Sequence, residues 1–401
     1  MATIQKRGES YTITASCGYD IHGKQIRRHK TWVPDPGMTP RQIEKELQRQ
    51  IVLFEEDCKT GICEGGGVKF EAFARQWFEE YAEPGLKSRT VSRYHQLEPR
   101  AYEALGHLRM DKITTRSVQR FVQELGKEGT NKRTGQPLAP KTIKHYLSFV
   151  SGVFSYAVSQ GVVKDNPCRG VRLPAAPQAE RACYTLEEAQ AFLSALTDEP
   201  LRWRVFYTLA IFGGFRRGEL LGLEWKDIDF ETGVISIRRA SLYTKERGVY
   251  TDTPKTTRSQ RCLKMPDSVI DLLRRYRAEQ ASERLQVGDQ WENYDRLFAA
   301  WNGKPLNPSV VENWLSRFFA RSGLRKVNPH SFRHLNATLL IGSGADVRTV
   351  SAALGHSQPS TTLNIYAHTF AANQAKATEA IAAALDLNFE GNKQQTNNKA
   401  H

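Results

Sequence analysis

Polar and apolar residues alternate over SYTITAS, residues 10–16, which sets Tyr11, Ile13 and Ala15 on one side of a strand. TIQKRG before it and KQIRRHKTWVP after it are also strand-like, and His22–Gly23 reads as the hairpin turn between the second and third runs. The period then changes. After the break PDPGMTP, Thr39 caps a helix whose first residue is Pro40, and Ile43, Leu47, Ile51 and Phe54 fall along one stripe of it. Residues 1–62 are therefore predicted to form a three-stranded sheet backed by one helix.

The Gly-rich stretch at 62–67 reads as a linker, and four helical patterns follow within residues 68–172. Phe70, Phe73, Trp77, Phe78 and Tyr81 recur at helical spacing, a stripe better read as core than as a base-stacking surface. The next patterns are LKSRTVSRYHQLEPRAYEALG, then RSVQRFVQELGKEG opened by Thr115 or Ser117, then KTIKHYLSFVSGVFSYAVSQG after a polar loop. Pro174 and Pro177 mark an extended connection. Residues 180–388 read as mainly helical. Thr185 and Glu188 form a capping box, VISIRRASLY and CLKMP read as strands flanking a loop at YTDTPKTTRSQR, and further helices follow. One of these is HSFRHLNATLLI, started by Pro329, ended by GSG at 342–344, with Leu335, Leu339 and Leu340 as its apolar side. ADVRTVSAALGH, STTLNIYAHTF and FAANQAKATEAIAAALDL come after it, and residues 389–401 are polar and expected to be disordered.

At 401 residues, with 40% hydrophobic and 25% charged positions, the chain has room for two or three soluble domains. Its net charge of +14 favours a polyanionic partner, nucleic acid first. No run of eighteen apolar residues suggests a membrane span, and MATIQKRGESYTIT lacks the apolar core of a secretion signal, so a cytoplasmic protein is expected. The six cysteines are scattered without paired metal-ligand spacing and read as reduced thiols. No Walker loop and no acidic run for a two-metal nuclease is present, so no cofactor and no metal are expected.

The positive charge gathers in two places before the last domain. Lys6, Arg7, Lys24, Arg27, Arg28 and Lys30 lie in the strand region, where they serve either as phosphate contacts of a sheet laid in a DNA groove or as the solvated charges of an edge sheet. Lys87, Arg89, Arg93, Lys141, Lys144 and His145 fall at helix starts, where backbone N–H groups also favour phosphate; a plain bundle with solvated lysines is the other reading.

The candidate chemistry lies between residues 213 and 366. GGFRRGELLGLEW places Arg216 three before Glu219, and His330 stands three before Arg333, spacings that share a helix face. Leu354–Gly355–His356 and Tyr366 follow. Alone, each of these residues reads as packing or a structural hydrogen bond. In this order they describe a phenol able to attack a phosphodiester while guanidiniums and imidazoles hold and neutralise the phosphate. Arginine suits that role through its planar fork.

Arg216, His330-x-x-Arg333, Leu354–Gly355–His356 and Tyr366 together resemble the tyrosine recombinase (phage integrase) family, over roughly the last half of the chain. The resemblance implies a multidomain protein. Residues 1–62 would be an α+β arm-type DNA-binding domain, 68–172 an all-α, SAM-like core-binding domain, and 180–388 a mainly α (α+β) catalytic domain, the last two clamping DNA between them. It selects Arg216 over Arg217, because the family's arginine directly follows the apolar residue after Gly, here Phe215. It selects Lys255, within T-P-K-T, over its rivals Lys245 and Lys264 as the acid for the leaving 5′ oxygen. Tyr366 is then the nucleophile, Arg216 and Arg333 hold the phosphate, His330 acts as acid or base on the tyrosine, and His356 hydrogen-bonds the phosphate. Glu219 buttresses Arg216 or His330; His334 and His368 are support or surface. The implied activity is metal- and ATP-independent cutting and rejoining through a 3′-phosphotyrosine, serving the integration and excision of a prophage or conjugative transposon. The implied partners are double-stranded DNA at attachment core and arm sites, a homotetramer on that DNA, an excisionase and a host DNA-bending protein. A C-terminal helix of this kind packs onto a neighbouring protomer in the family. The rival functions are a type IB-like topoisomerase and a non-catalytic DNA-binding regulator.

Overall fold

The computed structural model describes residues 2–19, 25–59, 67–175, 183–252, 260–356 and 358–385. The chain divides into two compact units, Met1–Gln178 and Ala179–His401.

The first unit opens with antiparallel strands β1 (Thr3–Arg7), β2 (Ser10–Tyr19) and β3 (Gln25–Trp32) in that spatial order. The turn expected at His22–Gly23 lies outside the described residues. Helix α1 (Pro40–Lys59) covers one face, where Ile13 and Ala15 bury against Leu47 and Phe54, with Tyr11, Trp32 and Ile51 at the border. The strand register decides where the basic residues go. Directly paired residues share a sheet face. Ile13 pairs with Ile4 and Lys30, and Tyr11 with Lys6 and Trp32, so Lys6 and Lys30 stand on the helix side. Lys6 Nζ lies 5.6 Å from the centre of the Tyr11 ring, and Lys30 Nζ donates to Gln50 Oε1 of α1 at 2.9 Å. Arg7, paired with Ser10, and Arg27, paired with Ser16, belong to the opposite, open face with Gln5, Thr12, Thr14, His29 and Thr31. The basic residues are thus divided between the two faces, because alternation sends neighbouring cations to opposite sides. Lys24 and the side chain of Arg28 lie outside the described residues.

Among the described residues, four longer helices build the rest of this unit, joined by short helical turns: α2 (Phe70–Trp77), extended by a π turn at Phe78–Ala82, then α3 (Ser88–Ala101), α4 (Thr115–Leu125) and α5 (Pro140–Ser159). The aromatic stripe is core, as its spacing suggested: Phe70, Phe73, Trp77 and Phe78 are buried, and only Tyr81 reaches the surface. Trp77 and Phe149 face each other with ring centres 5.9 Å apart, and Tyr94 closes the cluster. The cap of α4 is Thr114, one residue earlier than expected. Its hydroxyl accepts from the Ser117 N–H while the Ser117 hydroxyl accepts from the Thr114 N–H, because Thr114 keeps the extended backbone that an N-cap needs.

The second unit begins with α6 (Leu186–Ala195), capped reciprocally by Thr185 and Glu188 as predicted. Then come α7 (Leu201–Gly213), α8 (Arg217–Gly222) and strands β4 (Ile228–Asp229), β5 (Val234–Ile237), β6 (Ala240–Thr244), β7 (Gly248–Asp252) and β8 (Arg261–Lys264). The order β4-β5-β8 forms one small antiparallel sheet, and β6 with β7 a separate ribbon. The run VISIRRASLY is therefore two strands, and the front of the expected loop is a third. The break falls where Arg239 turns inward to the Asp227 carboxylate and the Gly222 carbonyl, drawing the chain out of the first sheet. Helices α9 (Asp267–Val287), α10 (Pro308–Ser322), α11 (Pro329–Gly342), α12 (Val347–Leu354) and α13 (Pro359–Ala384) complete the unit. The core gathers Phe192, Tyr207, Phe318 and Phe332, with Trp203 stacked on Trp314 at 4.7 Å. Helix α11 runs through this packing, and consecutive residues from Ser331 to Ala337 are buried. Its apolar side differs from expectation at Leu339, which is exposed, because toward the helix end the covered face carries Ile341 and Leu340 into a second small cluster with Val350 and Leu354. The last two expected helices run on as one, with a non-helical backbone at Tyr366 (φ −118°, ψ 19°). Among the described residues no helix is long and apolar enough to cross a membrane.

The Phe149 ring is fully enclosed by Trp77, Phe78 and Tyr94. Phe149→Ala is expected to cost about 3–5 kcal/mol of unfolding free energy, read as a lowered urea midpoint of the first unit.

Candidate active site

The site is built where the end of α7 meets α11. Gly214 ends α7 with φ +56°, and a side chain there would run into Asn336 Oδ1 at 2.5 Å. Asn336 in turn donates to the carbonyls of Ile211 and Phe212, both at 2.9 Å, which ties the two helices together. One turn earlier on α11, Arg333 is 2% exposed. Its Nη1 donates to the Gly214 carbonyl at 2.8 Å and its Nη2 to the Leu354 carbonyl at the end of α12. A single guanidinium thus joins three elements.

Arg216 directly precedes α8 and acts as its N-cap. Glu219, three residues on, accepts from the Arg216 backbone N–H at 2.9 Å and from Nη1 at 2.6 Å; Nη2 of the same arginine donates to the Gly355 carbonyl at 3.0 Å. Arg217 turns away to an ion pair with Glu312, so geometry separates the two neighbouring arginines. The buttress expected of Glu219 goes to Arg216. Glu219 also receives Arg261, the first residue of β8, at 3.0 Å and 3.3 Å, and Arg261 Nε donates to the Ala353 carbonyl at 2.6 Å. Gly355 has φ +62°, and a side chain there would meet Arg261 Nη1 at 2.7 Å. The Leu354–Gly355–His356 motif therefore needs its glycine both for backbone conformation and for room beside an arginine.

Arg261 was not legible as a site residue within the basic run TTRSQR. Its signal is parity: Arg261 and Leu263 point to the covered side of β8, and Cys262 and Lys264 point out. An arginine on the apolar register of a strand needs a buried partner.

The electrostatics follow from this crowding. Burial pushes Arg333 down to about 9, helped by the positive charges of Arg216 and Arg261 and opposed by Glu219. Burial pushes Glu219 up, but the Arg261 and Arg216 guanidiniums outweigh it and hold the carboxyl below its ordinary range. His356 is pushed down to about 4, first by burial and then by Arg333, Arg216, Arg261 and His330. Its imidazole is thus neutral at pH 7, with Nδ1 2.8 Å from the fully buried Thr362 hydroxyl. A surplus of positive charge held in a half-buried site favours an anion.

Tyr366 is 4% exposed and lies within electrostatic reach of Arg333. Its hydroxyl is 2.6 Å from His334 Nδ1. His330 is exposed, with its ring edge-on to His334. His334, read from sequence as support or surface, is buried and touches the phenol; its signal was its i+4 spacing from His330 on the same helix face. Lys255 lies outside the described residues; Lys245 and Lys264 are exposed, on the β6–β7 turn and on β8. In the first unit, Arg93 of α3 and Lys141 and Lys144 of α5 surround His145 closely enough to lower its pKa after burial is counted, so these basic helix starts form one cluster. Lys87 and Arg89, at the start of α3, are exposed.

Two outcomes follow from the buried charges. Arg261→Met leaves Glu219 with half its partners and is expected to cost about 3–5 kcal/mol, checked by urea unfolding of the second unit. The native His356 imidazole binds its proton below the unfolded-state value near 6.5. Its contribution to stability is therefore full above pH ~6.5 and is lost as pH falls toward about 4, checked by unfolding across that window in wild type and His356→Asn.

Comparison with known proteins agrees with this geometry. Residues 70–173 match the phage integrase central domain, and residues 183–373 match the phage integrase family. A tyrosine recombinase XerC-like protein of Caldanaerobacter subterraneus subsp. tengcongensis is 28% identical over 402 residues, covering 94% of this chain and 97% of the relative. The structure of the Tn1549 transposon integrase in complex with circular intermediate DNA superposes with a TM-score of 0.64 at 21% identity, over 79% of this chain and 100% of the other. A lambda integrase tetramer bound to a Holliday junction shares the fold over 90% of this chain and 94% of its own, with a TM-score of 0.55 at 18% identity. With both family domains in order and the arginines, imidazoles and phenol brought together, this chain belongs to the phage integrase family of tyrosine recombinases.

Proposed function

We propose that this protein is a site-specific tyrosine recombinase that integrates and excises a mobile genetic element, a prophage or a conjugative transposon. The observation that carries this is the convergence of Arg216, Arg333 and the neutral His356 on the chain segment that ends in the Tyr366 phenol. The Tyr366 oxygen attacks the phosphorus, and the bond to the 5′ oxygen breaks. Arg216 and Arg333 neutralise the phosphate as charge develops, and His356 donates a hydrogen bond to it. Lys255, proposed from its position in T-P-K-T, protonates the departing 5′ oxygen, and His330 serves acid–base chemistry at the phenol end. Glu219 and Arg261 position Arg216. The products are a 3′-phosphotyrosine and a 5′ hydroxyl, whose conserved bond energy lets a second strand reverse the step without metal or ATP.

Residues 1–62 bind arm sites, 68–172 the core site, and 180–388 carry the chemistry. Arg7 and Arg27 on the open sheet face, the cluster of Arg93, Lys141 and Lys144, and the exposed Lys87 and Arg89 make the phosphate contacts. The working assembly is a homotetramer on DNA in the bacterial cytoplasm, aided by an excisionase and a host DNA-bending protein. The Holliday-junction tetramer of lambda integrase and the circular intermediate held by the Tn1549 integrase support this reading.

Covalent capture tests it. A nicked duplex cut from the DNA flanking the gene is incubated with the protein in EDTA and run on a denaturing gel. Wild type is expected to form a protein–DNA adduct, and Tyr366→Phe to form none while keeping its DNA affinity. Tight binding with no wild-type adduct would favour a non-catalytic regulator instead.

A further inference from the structure

His330, His334 and Tyr366 form a short series from surface to interior. His330 is exposed, His334 is 9% exposed and Tyr366 is 4% exposed. His330 and His334 lie four residues apart on α11, so their rings share one face, with centroids 4.8 Å apart and planes at 87°. The kink at Tyr366 in α13 sets the phenol against the inner ring, with Oη and Nδ1 2.6 Å apart.

This contact bears on a problem that the recombination chemistry leaves open. A phenol with a reference pKa near 10 is a weak nucleophile at neutral pH. Its proton must leave as the bond to phosphorus forms. A base for that proton needs hydrogen-bond reach and a pKa near the working pH, and an imidazole supplies both. Arg333, the adjacent residue on α11, stays cationic and cannot accept it. His334 Nδ1 lies 2.6 Å from the phenol oxygen, and the exposed His330 ring stacks edge-on against it from outside.

We propose that His334 is the proton acceptor for Tyr366, a catalytic role that rests on the recombinase reading above. The Oη–H bond breaks and its proton passes to His334 Nδ1. The freed electron pair forms the bond to phosphorus, and the pair of the broken bond to the 5′ oxygen stays with that oxygen, which takes a proton from the acid on its own side. In resealing, the 5′ hydroxyl gives up its proton, the phenolate departs and recovers its proton from His334, and the cycle consumes nothing. His330 covers the outer edge of the acceptor and acts through it.

The test uses the full chain and the same nicked flanking duplex at saturating concentration, with adduct formation followed in a single turnover. His334→Gln keeps a hydrogen-bonding group beside the phenol but cannot take up a proton at neutral pH; His334→Ala removes both. Both variants are expected to form adduct roughly 100-fold more slowly or worse with DNA affinity kept, and His334→Gln, which retains a hydrogen-bonding group, also keeps its melting temperature. Free imidazole is expected to restore part of the rate to His334→Ala and none to Tyr366→Phe. A His334→Gln rate within about threefold of wild type would overturn the proposal, because a hydrogen bond alone would then suffice. Parallel loss of DNA affinity in both variants would also overturn it, in favour of a structural role. Should wild type form no adduct at all, the recombinase reading itself fails, an outcome distinct from either of these.

Discussion

A carboxylate held between two guanidiniums is the interaction on which this site depends. Glu219 accepts from Arg216 and from Arg261, and each arginine also donates to a backbone carbonyl at the end of α12. Buried charge is costly unless paired and fully hydrogen-bonded. The pairing here is deliberately incomplete from the viewpoint of charge, since Arg333 lies in the same neighbourhood with backbone carbonyls as its partners. The protein thus stores a local excess of positive charge in a place where water screens it poorly. Burial first, and then the same cluster of guanidiniums, keeps His356 neutral.

The scaffold exists to make that storage possible. Gly214 and Gly355 both adopt positive φ at helix ends, and their carbonyls, with that of Leu354, face the guanidiniums. Helix C-termini carry partial negative charge, so these carbonyls offset part of the burial cost without neutralising the arginines as carboxylates would. Asn336 fastens α7 to α11, and the aromatic core around Phe192 and Phe332 holds that pair rigid. A displacement of about 1 Å in such a constellation is enough to cost orders of magnitude in rate.

The same logic of faces governs the N-terminal sheet. A cation on a strand goes wherever alternation sends it, and the apolar residue opposite determines which face is covered. Lys30 pairs with the buried Ile13 and so spends its charge on Gln50 of the helix. Arg27, three residues earlier, escapes to the open face. Composition alone counts the two as equivalent.

Much of the molecule was legible in the sequence by itself. Alternation marked the three N-terminal strands, helical spacing marked the aromatic core of the helical region, and the capping box at Thr185 announced the second unit, because each is a local pattern with a fixed period. The ordered motifs from Arg216 to Tyr366 pointed to the family from short local patterns as well. What only the tertiary structure decided were contacts between residues far apart in sequence. Arg261 looked like one cation in a basic loop until β8 brought it to Glu219, 42 positions away. His334 looked like a flanking residue until the kink in α13 delivered the Tyr366 phenol to it across 32 positions. Side-chain pairing across such distances depends on how elements pack, and packing leaves no period in the chain for a reader to find.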